Sequence, residues 1–199
     1  MGIKEGKMNA KDIITLSATF LQLEDVLDMS ILGGTSETFS DETQKKINLL
    51  KKCVGLIYEE IATDYLKLLQ VDKAVVYDNK LLFKDLTKNI IKLVSVKNTF
   101  NESVNFKLMP DGIILPNGEY EITYTYYPDK INEDDLLTNL EDFSGRVTAR
   151  VLAYGVCSEY ALINGLFEEA QTYRTRFEDA MKAIKVKKTA TILPRRRWI

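Results

Sequence analysis

The sequence has no histidine, one tryptophan, two cysteines and four prolines in 199 residues. Without histidine there is no Ser-His-Asp or Cys-His nucleophile system, no histidine-liganded zinc and no imidazole base near neutral pH. Acid–base chemistry would fall to carboxylates, lysine or tyrosine, and no convergent set of these stands out. The chain therefore reads as non-enzymatic, with no cofactor and no metal site. Two cysteines make no disulfide framework. Cys53 and Cys157 fall on or beside apolar helical stripes and are expected as buried free thiols in a reducing interior. No apolar run approaches the ~20 residues of a membrane span, and residues 1–7 lack the apolar core of a secretion signal.

What is present is an ordinary globular balance, 45% hydrophobic and 28% charged, on a chain long enough to bury its own core. The net charge of −2 is unevenly spread. After Asp179 there is no acidic residue, while Lys182, Lys185, Lys187, Lys188, Arg195, Arg196 and Arg197 are all basic. An acidic body with a basic end suggests that the end binds something outside its own domain.

Apolar periodicity predicts the elements. Ile13, Leu16, Phe20, Leu23 and Leu27 recur at helical steps and predict a helix over 9–29. Gly33-Gly34-Thr35-Ser36 then makes a loop; it lacks the lysine and longer spacing of a phosphate-binding loop. Ser40 is placed to cap a long helix over 41–69, with Asp41 and Glu42 in its favoured first turn. Its apolar stripe is Ile47, Leu50, Val54, Ile57, Ile61, Tyr65 and Leu68. Glu60 and Asp64 share a face there, read as solvated helix surface rather than a carboxylate site.

Over 71–128 the period shortens to that of strands. Segments 73–77 and 80–83 flank Asp78-Asn79, a tight-turn pair. Further strands are expected at 93–98, 104–109, 112–115 and 119–127, jointed by Pro110-Asp111-Gly112 and Pro116-Asn117-Gly118. Tyr120, Ile122, Tyr124 and Tyr126 alternate onto one sheet face, where packing is the expected role. Tyr127-Pro128 ends the sheet.

A short helix is expected over 133–142, and another from a Ser144 cap to about 164, with Val147, Val151, Tyr154, Cys157 and Ala161 inward. Asn164-Gly165 marks a break. A last helix over 167–184 would turn Phe167, Ala170, Tyr173, Phe177, Ala180, Met181 and Ile184 inward. The fold class is α+β: a helical bundle (about 9–69 and 133–186) with a small antiparallel β region (about 71–128) inserted. Residues 1–188 are expected to form a single α+β domain and 189–199 a C-terminal arm.

This order of parts resembles the adaptor proteins of bacteriophage necks, including the tail tubular protein A and head-completion groups. The resemblance is carried by Tyr124-Thr125-Tyr126-Tyr127-Pro128 and the acidic stretch after it. It continues through Ala153-Tyr154-Gly155-Val156-Cys157-Ser158-Glu159-Tyr160-Ala161-Leu162 and Glu168-Glu169-Ala170 with Tyr173, Phe177 and Ala180, which look like the closing helical hairpin of such proteins. It implies a structural virion protein of the head-to-tail connector, assembled in the host cytoplasm and located in the neck between capsid and tail. It further implies a homo-oligomeric ring, commonly twelve-fold in that family, beneath the portal protein. The ring would extend the DNA channel and dock the next neck or tail protein. Genomic DNA would pass without sequence-specific binding, and an acidic lining would let it slide.

The arm Ile192-Leu193-Pro194-Arg195-Arg196-Arg197-Trp198-Ile199 is the candidate partner-binding site. One reading is a solvated terminus. Trp198 and Ile199 argue for insertion into a neighbouring subunit or the portal, because arginine and tryptophan are enriched at interface hot spots. The alternative is a nucleic-acid-binding or other assembly module that uses the same basic end.

Overall fold

In a computed structural model the described residues are 9–27, 40–129, 143 and 147–186. The protein has an α+β fold, and its chain divides into two compact units. One is helical and comes from the two flanking segments, 1–57 and 131–199; the other is Tyr58–Lys130.

The helical unit starts with α1 (Ala10–Phe20), whose N-cap Asn9 accepts a hydrogen bond from the Asp12 amide at 2.9 Å. This helix stops well short of the expected 29. Gln22 takes φ +54°, and the amides of Gln22 and Leu23 donate to the carbonyls of Thr19 and Ala18. That pair of reversed bonds satisfies the helix-end carbonyls. Residues 24–27 then form a separate helical turn. Helix α2 (Asp41–Glu60) begins as expected, with the Ser40 Oγ accepting from the Thr43 amide at 3.2 Å. Asp25 accepts from both Thr43 Oγ1 (3.2 Å) and Lys46 Nζ (3.0 Å), tying the turn after α1 to the start of α2. The Lys46 hydrogen bond holds the Asp25 carboxyl below its usual range.

Helix α3 (Ala149–Ile163) is the centre of this unit. Its N-cap is Thr148; Ser144, the expected cap, lies outside the described residues. Leu152, Ala153, Gly155, Val156, Cys157, Ser158, Tyr160 and Ala161 are all buried, far more than one stripe. The helix is covered on several sides, by α1, by α2 through Ile57 at Gly155, and by α4 (Phe167–Val186). Phe177 and Met181 of α4 are fully buried.

In the second unit, residues Ile61–Tyr65 form a π-helical turn, where the expected 41–69 helix ends. Leu69 instead opens β1 (Leu69–Val76), in which Leu69, Val71 and Val75 alternate onto the exposed face and Val76 is buried. The remaining strands are β2 (Lys80–Leu82), β3 (Ile90–Asn98), β4 (Lys107–Met109), β5 (Gly112–Ile114) and β6 (Gly118–Tyr126). Phe83, expected in a strand, starts a 3-10 turn instead, and residues 104–106 lie before β4 rather than within it. Two three-stranded antiparallel sheets result, ordered β1-β6-β3 and β2-β5-β4. Asp78 and Asn79 both take φ +55°, the conformation a two-residue hairpin turn requires, and Tyr77 pairs with Lys80 across it. Tyr120, Ile122, Tyr124 and Tyr126 are buried on one face of β6, as their alternation predicts.

Candidate functional site

The arm Ile192, Leu193, Pro194, Arg195, Arg196, Arg197, Trp198 and Ile199 lies outside the described residues, as do the expected helix at 133–142 and the loop around Gly33. Within the described residues, large apolar side chains are exposed on the β unit, at Leu69, Val71, Val75 and Phe100 among others, and in the helical unit at the turn between α3 and α4. Asn164 ends α3, and Gly165 adopts φ +76°. The Leu166 amide donates to Ala161 O at 2.9 Å and the Gly165 amide to Leu162 O at 3.1 Å, the same bond pattern that ends α1. Asn164 Nδ2 adds a bond to Tyr160 O at 2.8 Å. The turn is thus held by two backbone bonds and one from the Asn164 side chain.

Around that turn Leu162, Ile163, Leu166 and Phe167 are 50, 54, 45 and 69% exposed. Helical periodicity places Phe167 on the inward stripe of α4, and the structure does not bear this out. Phe167 is the first residue of α4, and its side chain projects from the hairpin tip into solvent. Single exposed apolar residues are commonplace, but four large ones on one turn form a patch. Glu168 and Glu169 border it.

Other groups with chemical potential are differently employed. Burial pushes the thiols of Cys53 and Cys157 up to about 12, which keeps them protonated and poor nucleophiles. Both are free, and Cys157 Sγ donates to Ser17 O at 3.6 Å.

In the β unit, Asp72 collects three donors. Thr87 N approaches its Oδ2 at 2.7 Å, Tyr124 Oη the same oxygen at 2.8 Å, and Gln70 Nε2 its Oδ1 at 3.0 Å. Tyr124 Oη in turn accepts from the Lys88 amide at 3.0 Å. Burial opposes ionisation of Asp72, but these donors outweigh it and hold the carboxyl below its usual range. Burial, reinforced by Asp72, pushes the Tyr124 phenol up to about 12. An ionised acceptor beside a protonated phenol is a latch that fastens residues 87–88 to the sheet.

A cleft of about 340 Å³ opens at one end of the β1-β6-β3 sheet, lined by Lys73, Val75, Lys97, Asn101, Glu119 and Glu121 among others. Lys73 and Lys97 stand opposite Glu121 on either side, an alternating charge row of the kind that stabilises neighbouring strands. Among the described residues no group of three or more Cys, Asp or Glu is arranged to hold a metal ion. No helix among them is long and apolar enough to cross a membrane. No protein-family model matches this sequence, and comparison with curated proteins finds no match.

Proposed function

We propose that this chain is a structural virion protein, a head-to-tail connector adaptor of a bacteriophage neck. In this reading it forms a ring beneath the portal protein, extends the DNA channel and docks the next neck or tail protein, without catalysing a reaction. The observation that carries the reading is the apolar tip of the α3–α4 hairpin. Four large side chains stay in water there on a turn fixed by three backbone and side-chain bonds. Burying one such side chain fully is worth about 1.5–3 kcal/mol, so a partner that covers the tip gains several kilocalories per mole. The order of parts, helices flanking an antiparallel β unit and closing in a hairpin, supports the same assignment.

The test is a pull-down from host lysate in which the particles are being made, with three baits: the full chain, a chain ending at Lys188, and a Leu166→Asp/Phe167→Asp chain. The full chain is expected to retain the portal protein. Both altered baits are expected to lose it while keeping the circular-dichroism spectrum of the full chain. Capture of portal by all three baits would remove the arm and the tip from the account. Salt-sensitive capture of nucleic acid by the full chain alone, with no portal, would replace it by a nucleic-acid-binding module that uses the basic arm.

A further inference from the structure

Three rings from three helices stack on the surface of the helical unit. Phe20 and Tyr154 lie 5.3 Å apart at 19°, Phe20 and Tyr173 6.5 Å apart at 18°, and Tyr154 and Tyr173 6.5 Å apart at 26°. All three are half-buried. The Tyr173 hydroxyl donates to the Phe20 carbonyl oxygen at 2.8 Å, which locks α4 to the end of α1. Two exposed arginines stand over this stack. Arg150 lies 5.7 Å from the Tyr154 ring centre and Arg176 5.9 Å from it; Arg176 is also 5.9 Å from that of Tyr173.

One of the two guanidiniums is oriented by a hydrogen bond, and among the described residues neither is paired with a carboxylate. Arg150 Nε donates to the Tyr154 hydroxyl at 2.8 Å, and its outer nitrogens meet no carboxylate among the described residues. Neither arginine forms an ion pair with a described carboxylate. Arg174, two residues from Arg176 on the same helix, meets Glu178 at 3.0 Å and Glu159 at 3.9 Å. Position does not explain Arg150 either, since it stands in the first turn of α3, where the helix dipole disfavours a cation.

We propose that Arg150 and Arg176, on their tyrosine platform, form a docking site for a short acidic peptide segment of a protein partner. Guanidinium groups pair with carboxylates through two parallel hydrogen bonds, and orientation by aromatic rings lowers the entropy lost on binding. Both charges lie within 6 Å of the Tyr154 ring centre, and an extended peptide with acidic residues at alternate positions, about 7 Å apart on one face, offers a carboxylate to each. A nucleic acid fits less well. Its strand carries charge at every step and would have to cross a body that is acidic apart from its basic end.

The test uses the full-length chain with Arg195, Arg196 and Arg197 replaced by Gln throughout, which removes the arm's own attraction for acids. A fluorescein-labelled Gly-Glu-Gly-Glu-Gly peptide and a labelled oligothymidylate are titrated by anisotropy at low salt. Arg150→Gln/Arg176→Gln is expected to weaken peptide binding about tenfold or more, with Arg174→Gln as a comparator that retains it. Thermal melts confirm that the double variant is folded. Peptide binding unchanged in the double variant, or no peptide binding at all, would overturn the proposal. So would oligothymidylate binding tighter than the peptide's and lost with the same two arginines, which would assign the site to nucleic acid.

Discussion

Gly155→Leu is expected to destabilise the helical unit by about 3 kcal/mol, the upper end for overpacking a filled core. A Cβ at residue 155 would lie 2.9 Å from Ile57 Cγ2 and 3.0 Å from Ile57 Cδ1, closer than carbon atoms pack. Ile57 is itself fully buried, so the crowding cannot be relieved by swinging a side chain into water. The higher helix propensity of leucine returns only about 1 kcal/mol. Ile57→Ala alone should cost about 2–5 kcal/mol by leaving a cavity. In the double variant the leucine fills that cavity, and the two losses should sum to clearly more than the loss observed. Urea unfolding of all four proteins measures this coupling. Simple additivity would mean that α2 and α3 do not meet at this glycine.

The second large effect concerns the Asp72 latch. Asp72→Ala removes the acceptor of three hydrogen bonds and strands the fully buried Tyr124 phenol with an unsatisfied donor. A loss of about 2 kcal/mol follows, kept below the sum of three charged hydrogen bonds because Asp72 is itself partly exposed. The sign of the pH dependence is set by the direction of the shift. The carboxyl is held below its usual value in the folded state, so its contribution is present in full above about pH 4, the unfolded value. It disappears as pH falls through the lower, folded value. Asp72→Asn should therefore be less stable than the native chain at neutral pH and lose less than the native chain on acidification below pH 4. Parallel acid-titration curves for the two would contradict the latch.

The two helix ends show what could be read from residues and what could not. Both α1 and α3 finish with the same pair of reversed bonds and a left-handed residue. At the second that residue is Gly165, and Asn164-Gly165 announces it. At the first it is Gln22, a residue type with no preference for that conformation, and the apolar spacing runs on through Leu23 and Leu27 without a break. The β unit was legible because its turns carry mechanisms: Asp78-Asn79 tolerates positive φ, and Pro110-Asp111-Gly112 joins β4 to β5.

Burial was legible only in part. One stripe of α3 was expected, but a helix packed on several sides also buries Leu152, Val156 and Tyr160, and periodicity counts faces rather than neighbours. Phe167 fails for the same reason in reverse. Its spacing to Ala170 identifies a face of α4, but spacing carries no information about whether anything covers that face at the end of a hairpin. The exposed tip and the arginine pair over stacked tyrosines both depend on residues far apart in sequence or on the absence of a cover. Neither leaves a local pattern to find.

The most direct test of the connector assignment is immunogold electron microscopy of purified particles, with antibodies raised against the folded chain. The assignment predicts gold at the junction of capsid and tail, on particles that carry a portal. Particles without label, or label on the capsid shell or along the tail, would contradict it.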